Sequence, residues 1–313
     1  MCGTCGCGAG AVITVLADRP VPAWLGGPGP ADHGRRRAAG RLYHLHPRDE
    51  GPHSHDSGND YPGHGEHGHG EHGHDHPGQG EHGHVHMLEP DDHGRTVQLQ
   101  QKVLAKNDEL AQRNREWLHE RGILAINLMS SPGSGKTTLL ERTTKDLAGK
   151  MTLSVIEGDQ ETALDARRIL AAGSKVVQIN TGVGCHLDAE MVAHGLRGLD
   201  PPSGSIVVIE NVGNLVCPAL FDLGEEARVV LASVTEGADK PLKYPHMFRQ
   251  ADLVLLNKTD LLPYVEFDVK QYMADLRIAA PDALLLQISA TAGDGIQGWY
   301  DWLRRRVPAP HEA

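Results

Sequence analysis

The stretch Ser130-Ser131-Pro132-Gly133-Ser134-Gly135-Lys136-Thr137-Thr138 has the residue types of a phosphate-binding loop. A glycine-rich turn lets backbone N–H groups converge on one anion, and the helix that follows offers its positive N-terminus to the same charge. Gly133, Ser134 and Gly135 supply that turn; Lys136 is spaced to reach β- and γ-phosphates, and the Thr137 hydroxyl, with Thr138 beside it, to ligand Mg²⁺. The first glycine of the G-x-x-x-x-G-K-[ST] pattern is Ser130 in this chain.

Further on, Asn257-Lys258-Thr259-Asp260 resembles the N-K-x-D motif of GTPases. An ionised Asp260 can accept both N–H groups on guanine's Watson–Crick edge, whereas adenine presents an acceptor where guanine has N1–H. Asn257 and Lys258 would brace the base, and Ser289-Ala290 resembles the S-A element whose backbone meets the guanine oxygen. Two acids follow apolar runs: Asp159 in Glu157-Gly158-Asp159-Gln160, and Glu210 in Glu210-Asn211-Val212-Gly213. Either carboxylate can hold Mg²⁺ directly or through water and help place an attacking water, while the Gly213 N–H can sense a γ-phosphate; each acid can instead be a helix cap.

Thiols and imidazoles form three more groups. Cys2, Cys5 and Cys7 make a C-x-x-C-x-C cluster with glycines between, suited to wrapping one soft or borderline ion: Zn²⁺, Cu⁺ or square-planar Ni²⁺. A Gly-Glu-His-Gly-His repeat supplies His67, His69, His72, His74, His82 and His84, flanked by His76 and His86. Imidazoles so spaced on a flexible backbone favour copper and nickel and read as a metal store; the plainer alternative is a solvated linker. Cys185-His186 and Cys217 lie in two loops that follow apolar runs, a credible thiolate–imidazole–thiolate site for a transition metal such as Ni²⁺ or Zn²⁺. If Gly213 moves with the γ-phosphate, Cys217 moves too, which links metal affinity to nucleotide state.

These residues need a scaffold, and the chain divides accordingly. Of the 20 histidines among its 313 residues, 15 precede Arg95, whereas the long apolar runs follow Gly122. The region from 9 to 95 is rich in Gly, Pro, His and Asp without sustained period and is predicted to be disordered when metal-free. Residues 96–122 show Leu99, Val103, Leu110 and Trp117 at four- and seven-residue steps, an amphipathic helix expected to dock on the following domain or pair in a dimer. From 123 to 308 short Val/Ile/Leu runs alternate with helical segments. Strands are predicted at Ile123–Met129, Leu153–Glu157, Val176–Ile179, Ile206–Glu210, Val229–Val234, Leu253–Asn257 and Leu284–Ile288. Their continuous apolar character predicts an α/β fold, a mostly parallel sheet flanked by helices, with ligands at the C-terminal strand ends. A formal charge of -11 without a broad Lys/Arg face argues against a nucleic-acid partner. No run is long enough to span a membrane and no signal peptide is visible, so a cytoplasmic protein with reduced thiols is expected.

Together, the runs Ser130–Leu140, Val155–Gln160, Asn180–Asp188, Glu210–Pro218, Ser233–Phe248 and Asn257–Tyr264, with the terminal C-x-x-C-G-C, resemble the HypB family of hydrogenase nickel-incorporation GTPases. The resemblance implies a SIMIBI-class GTP-binding domain over 123–308 that cycles between GTP and GDP and dimerises when GTP is bound. It implies an Ni/Zn site at Cys185, His186 and Cys217 near the dimer interface, and a separate nickel site at Cys2, Cys5 and Cys7. A HypA-type nickel chaperone and the precursor of a [NiFe]-hydrogenase large subunit are the implied partners. Ser131 stands where many relatives of the wider class carry a signature lysine, so a trans-acting lysine would come from elsewhere, with Lys240 or Lys243 the candidates. Slow intrinsic turnover is expected because no arginine finger presents itself. A nickel-buffering protein whose nucleotide domain reports metal status, and a small-molecule kinase, are the competing readings; Asn257–Asp260 speaks against the kinase.

Overall fold

A computed structural model describes residues 11–16, 43–45, 91–159, 163–182 and 184–308. Cys2, Cys5, Cys7 and the histidines from His67 to His86 lie outside the described residues.

The strands are β1 Val12–Leu16, β2 Tyr43–Leu45, β3 Leu124–Ser130, β4 Leu153–Asp159, β5 Lys175–Asn180, β6 Ile206–Glu210, β7 Ala227–Ser233, β8 Leu253–Asn257 and β9 Leu284–Gln287. The helices are α1 Asp91–Glu120, α2 Lys136–Leu147, α3 Leu164–Ala171, α4 Ala189–Leu199, α5 Lys240–Lys243, α6 Pro245–Arg249, α7 Val269–Ala279 and α8 Ile296–Arg306. The strands form one sheet in the order β2-β1-β5-β4-β6-β3-β7-β8-β9. From β5 to β9 every pairing is parallel, and β1 and β2 add an antiparallel edge.

All seven strands expected from the apolar runs are present, within one to two residues of their predicted ends. They are apolar on both sides because helices cover both faces. In β3, Leu124, Ile126 and Leu128 join the core formed with Leu139 and Leu140 of α2 and Trp299 and Leu303 of α8. Ala125 points the other way, into the cluster holding Leu118 of α1 and Val192 and Leu196 of α4. Alternation along one strand thus feeds two cores.

Two expectations are corrected. The segment 9–95 was expected to lack order throughout, yet Val12–Leu16 is a strand whose register with β5 runs from Val12↔Asn180 to Leu16↔Val176. Ile13, Thr14 and Leu16 are buried, so this short Val/Ile/Leu run completes the sheet edge. The helix α1 docks on the nucleotide-binding domain as expected, but of the predicted stripe Trp117 packs against the core while Val103 is 47% exposed. Its buried face is Asn107, Ala111, Asn114 and Leu118. Asn107 takes the Ala189 N–H at 2.9 Å and donates to the Asp222 carbonyl at 2.8 Å; Asn114 donates to the Ala189 and Leu223 carbonyls. Two asparagines seven residues apart share a helix face, and here they satisfy backbone groups that α1 would otherwise bury unpaired.

Candidate nucleotide and metal sites

Strand β3 delivers the chain to Ser130, and α2 begins at Lys136, so the glycine turn sits where the sequence places it. Gly133 and Gly135 have φ of +75° and +104°. A Cβ on Gly135 would lie 2.6 Å from Asn257 Nδ2, so both its backbone angle and its surroundings demand glycine. Ser130, the departure from the usual motif, is fully buried, and its hydroxyl accepts a 2.8 Å hydrogen bond from Lys136 Nζ. The lysine is therefore parked on the loop itself. Ser131 donates to Glu236, in the loop after β7, and Lys240 Nζ stands 3.8 Å from the same Glu236 carboxylate. Lys243 pairs instead with Asp239 at 2.6 Å, its side chain 62% exposed.

The base-side elements converge on this loop. Asn257 ends β8, donates to the Ser134 carbonyl at 2.9 Å and accepts from the Ala290 N–H at 3.0 Å. Lys258, at a left-handed φ of 62°, reaches the Gly133 carbonyl at 2.7 Å. One asparagine thus ties the phosphate loop to Ser289-Ala290, and Asp260 follows in the 3-10 turn Thr259–Tyr264.

Of the two acids singled out, Glu210 is the one that meets the phosphate-loop threonine: Thr137 Oγ1 donates to Glu210 Oε1 at 3.3 Å. Burial pushes the Glu210 carboxyl up to about 7, against the pull of the nearby Lys136 ammonium. Asp159 ends β4, and its carbonyl accepts the Thr181 N–H at 2.9 Å. The sequence reading passed over Glu157, whose register partner in β6 is Glu210. Burial, reinforced by the negative charge of Glu210, raises Glu157 to about 9. Each of these two carboxyls has a buried Oε2 without a hydrogen-bond partner. The signal available was a glutamate inside an otherwise apolar strand, which must find a use or stay protonated. For Mg²⁺ the fit is favourable: Thr137, Glu210 and Asp159 offer hard oxygen donors, and Glu210 Oε2 has nothing else to bind.

Cys185, His186 and Cys217 do come together, one ligand atom from each lying within 4.8 Å of the others. Cys185 Sγ is 3.7 Å from His186 Nδ1, and the His186 ring stacks on Phe221 at 3.9 Å. Burial lowers the His186 pKa, which favours the neutral imidazole, the form that can donate a lone pair. Two thiols and an imidazole within one ion's reach suit Zn²⁺ or Ni²⁺.

The segment 210–217 joins the two sites. Glu210 meets Thr137, and a Cβ on Gly213 would lie 3.1 Å from Pro132 of the phosphate loop. Asn211 Oδ1 accepts the Leu187 N–H at 3.2 Å, Asn214 Nδ2 reaches the Cys185 carbonyl at 3.4 Å, and the segment ends at Cys217. No helix among the described residues is long and apolar enough to cross a membrane.

Comparison with known proteins agrees with this geometry. Residues 124–286 match the family described as CobW/HypB/UreG, nucleotide-binding domain. The hydrogenase maturation factor HypB of Azotobacter vinelandii is 54% identical over 212 residues, 68% of this chain and 70% of that protein. The Escherichia coli K12 factor is 54% identical over 209 residues, 67% of this chain and 72% of that protein. The crystal structure of HypB from Archaeoglobus fulgidus aligns at a TM-score of 0.62 and 42% identity, covering 66% of this chain and 100% of that one. That of HypB from Helicobacter pylori in complex with nickel aligns at 0.60 and 37%, with the same coverage. With the phosphate loop, the Asn257–Asp260 and Ser289-Ala290 elements and the Cys/His set gathered on this fold, the chain belongs to the CobW/HypB/UreG family, as a P-loop protein of the HypB type.

Proposed function

We propose that the protein is a GTP-hydrolysing nickel metallochaperone that delivers Ni²⁺ during hydrogenase maturation. GTP and water become GDP and inorganic phosphate, and Ni²⁺ is cargo. Asp260 accepts the guanine N–H groups while Asn257 and Lys258 hold the phosphate loop against the base site. On nucleotide entry Lys136 exchanges the Ser130 hydroxyl for phosphate oxygens and offsets charge as it develops. Thr137, Glu210 and Asp159 would hold Mg²⁺, which supplies charge neutralisation on the phosphates. Glu210 and Asp159 are also the groups placed to orient water. Turnover is slow in the absence of a partner.

Nickel occupies Cys185, His186 and Cys217, a set equally suited to Zn²⁺. Val216 and Leu220, 53% and 56% exposed, flank Cys217 and favour a GTP-promoted homodimer across this face. Cys2, Cys5 and Cys7 form a second nickel site, the histidine tract a store. A HypA-type chaperone and the precursor of a [NiFe]-hydrogenase large subunit are the partners.

The observation that carries this reading is segment 210–217, which touches the phosphate loop at one end and the thiolate site at the other. Nucleotide state and metal affinity are then coupled, and reciprocally so. The test is nickel release to a competing chelator from the full chain, in GTP·Mg²⁺ against GDP·Mg²⁺. A difference that vanishes in Cys185→Ala/Cys217→Ala is expected; equal release in both nucleotide states overturns the coupling.

A further inference from the structure

From Ser289 to Gly293, in the loop after β9, all the backbone donors but one are already spent. The Ser289 N–H bonds to the Asp294 carbonyl at 2.9 Å, the Gly293 N–H to the Ser289 carbonyl at 2.8 Å and the Ala292 N–H to the Ser289 hydroxyl at 2.8 Å. The Ala290 N–H is held by Asn257 Oδ1 at 3.0 Å and is not open to a base. Among the described residues the Thr291 N–H has no acceptor, and Thr291 is exposed.

Arg142 of α2 fixes which way that donor faces. Its Nη1 donates to the Ala290 carbonyl at 3.3 Å and to the Thr291 carbonyl at 2.9 Å. A trans peptide sets its C=O and N–H antiparallel, so an Ala290 carbonyl turned to α2 turns the Thr291 N–H away from it. The guanidinium lies close on the loop: a Cβ on Gly293, whose φ is +98°, would fall 2.5 Å from Arg142 Nη2. Asp146 aims the arginine, its Oδ2 standing 3.3 Å from Arg142 Nε and accepting the Tyr300 hydroxyl at 2.7 Å. The helix that begins on the phosphate loop is thus bonded to the loop after β9.

That loop borders the turn carrying Asp260. The Thr259 N–H bonds to the Ile288 carbonyl at 3.2 Å, and Asn257 joins Ala290 to the Ser134 carbonyl of the phosphate loop. A 2-amino-6-oxopurine presents acceptor, donor, donor along its Watson–Crick edge. Asp260 can take the two donors, and the acceptor then needs an N–H of its own. Adenine has an amino group at that place and would set donor against donor. We infer that Arg142 is a positioning residue for base recognition: by holding the Ala290 and Thr291 carbonyls on α2, it presents the Thr291 N–H to the 6-oxo group of the bound purine. Recognition then has two halves, Asp260 for the N–H groups and Arg142, through Thr291, for the oxygen.

This rests on the reading that the domain binds guanine nucleotides, and the test separates the two. Dissociation constants of GDP, 6-thio-GDP, IDP and ADP are measured by titration calorimetry on the full chain with Mg²⁺. The thio analogue keeps both N–H groups but has sulfur, a weak acceptor, in place of the oxygen; IDP keeps the oxygen and lacks the 2-amino group. Arg142 is 31% exposed, so its truncation takes nothing from the core. Arg142→Ala should weaken GDP and IDP roughly 5- to 10-fold, as expected for one hydrogen bond, and leave 6-thio-GDP within about twofold. The preference for GDP over 6-thio-GDP collapses, while that for GDP over IDP, set by Asp260, stays as it was. Arg142→Lys, which keeps a cationic donor on a long side chain, should recover part of the loss. Equal weakening of GDP, IDP and 6-thio-GDP, or no change in any of them, overturns the proposal. ADP bound by the parent chain as tightly as GDP overturns the guanine reading instead.

Discussion

Asn211 follows Glu210 and is the buried joint between the nucleotide segment and the metal loop, 1% exposed. Its Oδ1 accepts from the Leu187 N–H at 3.2 Å and the Val212 N–H at 3.0 Å, and its Nδ2 donates to Asn127 Oδ1 at 3.2 Å. Asn211→Ala removes all three bonds at a buried position. At about 1 kcal/mol net for each bond, and 1–3 for a buried group left unmatched, the loss is about 3 kcal/mol, with an upper range near 5. Urea unfolding of the metal-free, nucleotide-free protein measures it as a lowered midpoint at unchanged slope. The same variant should release nickel at nearly the same rate in GTP and GDP, because the loop carrying Cys185 and His186 is no longer bonded to the segment below Gly213. Asn214→Ala is the comparison: its side chain bonds the Cys185 carbonyl and the Val216 N–H from a half-exposed position, and its stability cost should stay near 1 kcal/mol. If Asn211→Ala unfolds within about 1 kcal/mol of the parent and keeps full nucleotide dependence, the two sites are not joined through Asn211.

Gly135→Ala should abolish GTP binding and destabilise the fold by about 1–3 kcal/mol, because the new methyl meets Asn257 Nδ2 at a φ of +104°; retained binding by a fluorescent GTP analogue would contradict the account. The pH dependence follows from Glu157 and Glu210, whose carboxyls are raised to about 9 and about 7 in the fold. Both hold protons that the unfolded chain releases above its ordinary glutamate range. Stability of the metal- and nucleotide-free protein therefore falls as pH rises from about 4.5 through these values, each group adding a slope of up to about 1.4 kcal/mol per pH unit. Glu157→Gln should flatten the profile between pH 6 and 8 by up to about 2.7 kcal/mol in urea titrations, leaving the Glu210 contribution.

The elements that rest on contiguous residues were legible in the sequence. A strand covered on both faces must be continuously apolar, and β3 to β9 are found where such runs were read. The phosphate loop is encoded in nine adjacent residues because its glycines, lysine and threonine act through local backbone geometry. The pairing of Cys185-His186 with Cys217 was inferable because loops at the C-terminal ends of parallel strands must gather on one side of the sheet.

Other features depend on which surface a residue meets after folding, and only the tertiary structure decided them. Glu210, not Asp159, bonds Thr137, because β6 lies beside β3 in the sheet order while β4 is one strand further out. Asn107 and Asn114 carry the docking of α1 because a buried helix N-terminus and loop present unpaired backbone groups, which an apolar stripe cannot satisfy. The five residues of β1 look like any short apolar run in a glycine-rich region, and what makes them a strand is the free edge of β5, more than 150 residues away in the chain. Spacing specifies which atoms can act together locally; the order and direction of strands decide which distant atoms they meet.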